Sequence, residues 1–404
     1  MGHALIARQP IVDRQVHVRG YELLFRSQSE AGARAFDGDV ATATVAINTL
    51  LDLGLESVAA GQPAFINMTR AFLTRELYTA LPAERVVLEV LEDIEADAEV
   101  LAAVRRARDL GYRIALDDYV HAEASLPLVE LADIIKVDAG LLDDVALREH
   151  AKLLARPGLA LLAEKIETRE RFEFARDAGY DLFQGWFYAR PDLLRRRSLR
   201  NERGSLLRLL ARIEDPDMDF DEVGGLVEQN VSLSYKLVRY VNSVLFNLPS
   251  PVQSVRHACT LLGLDRVRTC VTLLLLSEID DKPQELMVNA LSRAQMCQLL
   301  AKGGGVAQEH RHFTVGLFSL LDAFLDRPED EILGELPLAD GVRTAILSGD
   351  GNAGEALRAA IACERGDFDT LEHVGTDPIQ IQRAWLEATT WSRDVLQALQ
   401  EPAA

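Results

Sequence analysis

Basic residues are scarce in this chain: 43 Lys and Arg stand against 63 Asp and Glu, for a formal net charge of −20. A sequence-independent hold on nucleic acid needs a basic footprint, so nucleic acid is not expected as a partner. The same deficit works against an anionic membrane surface. Long apolar runs are missing too. The longest near the middle, Val271–Leu276, falls far short of the roughly 20 residues that a spanning helix needs. The opening residues, MGHALIARQP, carry no apolar stretch behind basic residues, so no secretory leader is expected and the cytoplasm is the expected compartment. Cysteine is sparse. Cys259, Cys270, Cys297 and Cys363 all fall in the second half, and none stands in a CxxC pair. Buried structural thiols are expected, not a metal or redox motif.

What is present divides into two kinds of text, and 404 residues are enough for two domains. Up to about residue 195, short apolar runs alternate with amphipathic segments. The runs are Gly20–Phe25, Ala64–Met68, Arg85–Leu91, Tyr112–Asp117, Ile134–Val137, Ala160–Ala163 and Leu182–Tyr188. Between them, Asp97–Leu110 and Thr168–Ala178 read as helices with Asp or Thr at the start and Gly at the stop. Strand and helix in alternation predict a mostly parallel sheet, and seven such runs predict a closed barrel over residues 1–195. From 196 to 404 the text is helical. Its segments are Ser205–Ile213, Val223–Gln229, Ser232–Leu245, Val255–Leu262, Asp265–Glu278, Gln284–Gly303 and several beyond Phe313. The Arg-rich stretch Leu194–Arg203 is expected to be a connecting helix with a solvated charged face.

The chemistry lies at the ends of the predicted strands. Glu22, Asn67, Glu89, Asp117 with Asp118, Lys136, Glu164 and Gln184 each sit within or just after a run. From Asn67 onward the gaps are 22, 28, 19, 28 and 20 residues, about one strand–helix unit each. In a barrel the C-terminal strand ends meet at one mouth, so these residues are expected to converge. Carboxylates gathered there repel each other unless compensated. An oxygen-only set suits hard divalent cations such as Mg²⁺ or Mn²⁺, which can hold a phosphodiester and generate hydroxide at neutral pH. Lys136 could then orient water or offset charge, Glu164 act as general base, and Arg26 meet a phosphate oxygen in fork geometry.

The same residues resemble a known family. YELLFR (Tyr21–Arg26), preceded by QPIVD (Gln9–Asp13), resembles the segment that names EAL domains. FINMT (Phe65–Thr69), LEVLE (Leu88–Glu92), LDDY (Leu116–Tyr119), IIKVD (Ile134–Asp138), AEKIE (Ala163–Glu167) and DLFQGWFYARP (Asp181–Pro191) resemble its later motifs, in order. The resemblance implies a (β/α)8-type barrel that hydrolyses cyclic di-GMP to the linear dinucleotide with two Mg²⁺ or Mn²⁺ ions. It implies Glu22, Asn67, Glu89 and Asp117 as metal ligands, with Asp118 at the second ion. Lys136 and Glu164 match the water-handling Lys and the general base. Gln184 and Arg26 match substrate contacts. The chain departs from the pattern after Asp118, where Tyr119-Val120-His121-Ala122-Glu123 replaces a glycine-rich loop. Leu91 replaces a Thr, Leu23 an Ala and Lys165 a Gly.

The second half resembles an HDOD module joined to EAL, as in the YuxH-like family. The resemblance is carried by Ser234–Ser243, Leu248–Arg268 and Phe313–Leu325. A metal-binding His-Asp dyad is replaced by Ser319-Leu320, and His257, His310 and His312 rebuild no cluster, so each is read as a surface or structural His. The altered loop leads to the expectation of a cyclic di-GMP sensor or regulatory module that signals through HDOD protein contacts. The retained ligand set points to the alternative, an active phosphodiesterase regulated by its helical half. A scaffold that uses the barrel only for its shape is a third reading. A second copy of the chain and protein partners of the helical half remain open as partners.

Overall fold

A computed structural model describes residues 4–27, 54–119, 126–191, 200–248, 250–301 and 305–400. The chain forms two compact units. One gathers Met1–Phe187 with a short later segment, Ala362–Glu372; the other gathers Tyr188–Ile361 and His373–Ala404.

The first unit is a closed barrel of eight strands in chain order. They are β1 (Ala4–Asp13), β2 (Val18–Ser27), β3 (Ala64–Met68), β4 (Val86–Val90), β5 (Arg113–Leu116), β6 (Ile134–Asp138), β7 (Ala160–Glu164) and β8 (Leu182–Gln184). Strands β2 to β8 run parallel, and β1 closes the ring antiparallel to both β2 and β8. The seven predicted runs correspond to β2–β8. β1 was not among them: Arg8, Gln9 and Pro10 interrupt its apolar pattern, and Pro10 has no N–H for a ladder. β1 turns into β2 through a tight hairpin in which Asp13 Oδ1 accepts from the Gln15 and His17 N–H groups. The run expected to reach Tyr188 ends as a strand at Gln184, because Gly185 adopts φ +145 and breaks the extended backbone.

Helix boundaries follow their caps. Asp97 accepts from the Glu99 and Val100 N–H groups and starts Ala98–Asp109, which buries Val100, Ala103, Val104 and Ala107 on one stripe. Thr168 caps Arg169–Ala178, and Gly179 ends it in the left-handed region at φ +113.

Period-two alternation sets the barrel interior. Ile11, Phe65, Val87, Ala115, Ile134 and Leu162 form a buried apolar layer, with Ala160 and Leu182 packed against it. At Gly20 of β2, a Cβ would lie 2.6 Å from the Phe65 ring, so glycine there makes room for the largest member of that layer. Side chains two residues further along each parallel strand share the same inward face. The pairs are Phe65 and Asn67, Val87 and Glu89, Ala115 and Asp117, Ile134 and Lys136, Leu162 and Glu164, and Leu182 and Gln184. One apolar plug therefore underlies one polar ring.

Among its described residues the second unit is helical, from Arg200–Ile213 to Pro378–Gln400. Helix Gln284–Leu299 lies at its centre, burying Leu286, Ala290, Leu291, Ala294 and Cys297. It packs closely on Gly305–Phe318 at Gly316, where a Cβ would stand 2.5 Å from the Arg293 carbonyl oxygen. Its Ser292 hydroxyl donates to Ser392 of Pro378–Gln400 at 3.0 Å. All four cysteines are buried, and none of them forms a disulfide. Arg203 departs from the expectation of a solvated charged face. It is 7% exposed and pairs with Asp326 and, at 2.6 Å, with Asp281, because the buried Asp326 carboxylate needs a fixed cation. Most of the rest of that Arg-rich stretch, residues 194–199, lies outside the described residues. No helix among the described residues is long and apolar enough to cross a membrane.

Candidate active site

The polar ring of the barrel closes around one ammonium group. Lys136 Nζ, 1% exposed, lies 2.6 Å from Glu164 Oε1, 2.8 Å from Asp117 Oδ1, 2.9 Å from Glu89 Oε1 and 3.5 Å from Glu22 Oε2. Asn67 Nδ2 donates to Glu22 Oε1 at 3.2 Å, and Gln184 Nε2 donates to Glu22 Oε2 at 2.7 Å. Thus Glu22, Asn67, Glu89, Asp117, Lys136, Glu164 and Gln184, spread over more than 160 positions of the sequence, are brought together.

Two predicted residues stand apart from this cluster. Arg26 is bound within the same unit by Asp369 at 2.6 Å and Glu372 at 2.8 Å, both on the segment Ala362–Glu372. Asp118 turns away from the Lys136 cluster at φ +38 and lies 3.6 Å from Lys165 Nζ. The loop Val120–Glu123 lies outside the described residues.

Three further residues of the mouth were not nominated by sequence. Gln9 accepts from Gln184 Nε2 at 2.8 Å and donates to the Arg365 carbonyl at 2.8 Å. It lies two residues before Ile11, and because β1 runs in reverse, that places it on the polar side of the apolar layer. Asp138 follows Lys136 by two, so the same alternation could have found it. Lys165 was noticed only as a lost glycine; its ammonium binds Asp138 Oδ2 at 2.5 Å.

The charge balance is uneven. Burial alone would lower the Lys136 pKa, but Glu22, Glu89, Glu164 and Asp117 together raise it well above its usual value, so it stays charged. Four carboxylates around one cation leave negative charge in excess, and protons relieve it. Burial drives Glu89 well above the usual carboxylate range, with Lys136 pulling the other way. Glu164 is pushed up to about 8, first by burial, with Asp117 and Glu22 adding to it and Lys136 opposing.

The donor set suits a hard cation. Asn67 Oδ1, Glu89 Oε2 and Asp118 Oδ1 are buried without a hydrogen-bond donor. Orphaned buried oxygens of this kind are costly unless an ion or proton meets them. Among the described residues the acids are not drawn together closely enough to hold a metal as they stand. They surround Lys136 instead.

Among the described residues of the helical unit, no comparable cluster replaces the missing dyad. Ser319 Oγ donates to the Gly316 carbonyl and accepts from Arg293 at 3.1 Å. His310 binds Thr269 and the Asp265 carbonyl, and buried His312 binds the Gln308 carbonyl. Both are structural, and burial lowers both their pKa values.

An eight-stranded barrel with one reversed strand and an acid-lined end, carried with an all-helical unit, defines the class. The EAL domain model matches residues 2–191, and the HDOD domain model matches residues 203–323. The chain belongs to the family of proteins in which an EAL domain is followed by an HDOD domain. It is 34% identical over 399 residues to the cyclic di-GMP phosphodiesterase CdgJ of Vibrio cholerae, covering 96% of this chain and 92% of that protein. It is 30% identical over 404 residues to YuxH of Bacillus subtilis, covering 97% of this chain and 99% of that protein. Among solved structures, the manganese and cyclic di-GMP complex of BlrP1 from Klebsiella pneumoniae matches at 23% identity and a TM-score of 0.36, over 46% of this chain and 58% of that one.

Proposed function

We propose that the acid-lined end of the barrel is a metal-assisted site for cyclic di-GMP and that it hydrolyses one phosphodiester bond to leave the linear dinucleotide. The observation that carries this reading is the ring of acids from β2, β4, β5 and β7 around buried Lys136, with carboxylate oxygens left unsatisfied. The phosphodiesterase CdgJ, similar along nearly the whole chain, supports it.

Glu22, Asn67, Glu89 and Asp117 would hold a Mg²⁺ or Mn²⁺ ion, with Asp118 beside a further position. Bound there, a divalent cation polarises the phosphodiester and lowers the pKa of water. The chain's own groups do the rest. Lys136 orients the attacking water and keeps the acids from repelling each other. Glu164 accepts the water proton as the new P–O bond forms; the ribose oxygen that leaves phosphorus takes up a proton. Gln184 fixes Glu22. Arg26 reaches a phosphate by exchanging its carboxylate partners Asp369 and Glu372 for phosphate oxygens of the same fork geometry.

A second reading, a receptor that binds cyclic di-GMP without cleaving it, is favoured by Lys165, which holds Asp118 and Asp138. In either case the helical unit acts through protein contacts in the cytoplasm and carries no chemistry of its own. Purified full-length protein incubated with cyclic di-GMP and Mn²⁺ should yield linear product, and Glu22→Ala should abolish it. Binding without product would establish the receptor. A Glu22→Ala variant with unchanged turnover would refute the assignment of the site.

A further inference from the structure

A second ammonium group stands beside the first cluster, in a position the backbone is built to create. Lys165 directly follows Glu164 at the end of β7 and takes φ +56, the left-handed region that favours glycine. The next residue holds it there. Ile166 is fully buried; its N–H donates to the Gln184 carbonyl at 3.0 Å, and its carbonyl accepts from the Phe187 N–H at 3.2 Å. Gly185 presses on the same residue, with a notional Cβ only 2.1 Å from the Ile166 oxygen. A lysine in this conformation persists because its neighbours determine it.

The turn aims the side chain back along the mouth. Lys165 Nζ meets Asp138 Oδ2 at 2.5 Å and Asp118 Oδ2 at 3.6 Å. Asp138 is 8% exposed, and its other oxygen accepts from the Gly140 N–H at 2.7 Å. Asp118 adjoins Asp117, is itself held at φ +38, and leaves Oδ1 buried without a donor. These two acids therefore form an outer pair, one step removed from the ring around Lys136, and their shared counter-charge is a tethered ammonium.

We propose that Lys165 is a built-in cation that takes the place of a second divalent ion at Asp118, so that each chain binds one such ion and not two. The proposal rests on the metal-assisted reading of the inner ring. It gives the outer acids a counter-charge carried on the chain itself, and it makes the residue at position 165 the determinant of metal stoichiometry.

The test is Mn²⁺ titration of the full-length protein by calorimetry, with electron paramagnetic resonance of the bound ion as a second readout. The parent should bind one ion per chain and show an isolated Mn²⁺ spectrum. Lys165→Gly, which relieves the backbone and frees Asp118 and Asp138, should bind two and show spin-coupled Mn²⁺. Lys165→Gln keeps the side-chain length without the charge and guards against a folding defect of the glycine variant; it should also gain the second ion. Two ions in the parent, or one ion in all three proteins, would overturn the proposal while leaving the inner site intact. No ion in any of them would instead remove the metal-assisted reading itself, and this proposal with it.

Discussion

Replacing Lys136 by Met tests what holds the barrel mouth together. The substitution keeps the side-chain length and removes the one cation that faces Glu22, Glu89, Asp117 and Glu164 at 2.6–3.5 Å. Removing one partner of a buried ion pair costs about 3–5 kcal/mol, because the remaining charge is left uncompensated. Here several acids lose the same partner, which places the expected loss at the upper end. For a domain of this size each kcal/mol lowers the melting temperature by roughly 2–4 °C, so a fall of roughly 10–20 °C is expected for the barrel transition. The loss has a pH signature. Without Lys136 the acids hold protons more tightly in the fold than in the unfolded chain. Groups with a raised folded pKa stabilise most below their unfolded value and lose that contribution as pH rises through the folded value. The deficit should therefore be smallest near the ordinary carboxylate value of 4.5 and grow past about 8, the parent Glu164 value. Calorimetry across pH, with amide exchange of Val86–Val90 to follow the barrel itself, measures both. Mn²⁺ at a hundredfold excess over its Kd should return about 2.7 kcal/mol. A variant that melts within about 2 °C of the parent above pH 8 in chelator would refute the electrostatic account of the cluster.

Two predictions concern the helical unit. Glu214 is half-buried, accepts from Thr272 Oγ1 at 3.1 Å, and is pushed by desolvation up to about 7 from 4.5. Its proton stabilises the fold at acid pH, and about 3 kcal/mol should be lost as pH rises from 4.5 through about 7, at ~1.36 kcal/mol per unit; urea midpoints of Glu214→Gln should lack that slope, and parallel pH profiles would count against the assignment. Gly316→Ala would drive a methyl group to 2.5 Å from the Arg293 carbonyl oxygen and should cost about 1–3 kcal/mol by overpacking; an unchanged unfolding midpoint would show that the two helices are free to separate.

Much of the barrel was readable because each strand between Ala64 and Glu164 is a short apolar run with its polar residue near the C-terminal end. Helix limits at Asp97, Thr168 and Gly179 were readable because capping chemistry is local. The misses share a cause: they depend on partners far away in sequence. β1 has an ambiguous pattern of its own and becomes a strand by pairing on both sides with β2 and β8. Arg203 looked like one charge in a solvated run until Asp281 and Asp326 closed around it. That residues Ala362–Glu372 join the barrel unit is likewise invisible in a stretch of helical text. In the site, residue types at strand ends announced the acids, but not that Lys136 would sit at their centre or that Lys165 would turn back on Asp138.

The pairing of an apolar plug with a polar tip two residues later ties assembly to fidelity. A strand that slipped by one residue would invert its parity, turning its acid or amide outward and its plug residue with it. Such a slip would open a hole in the barrel interior and remove a group from the mouth in the same movement. Stability thus proofreads the site: a barrel packed well enough to survive is one whose acids already stand in register.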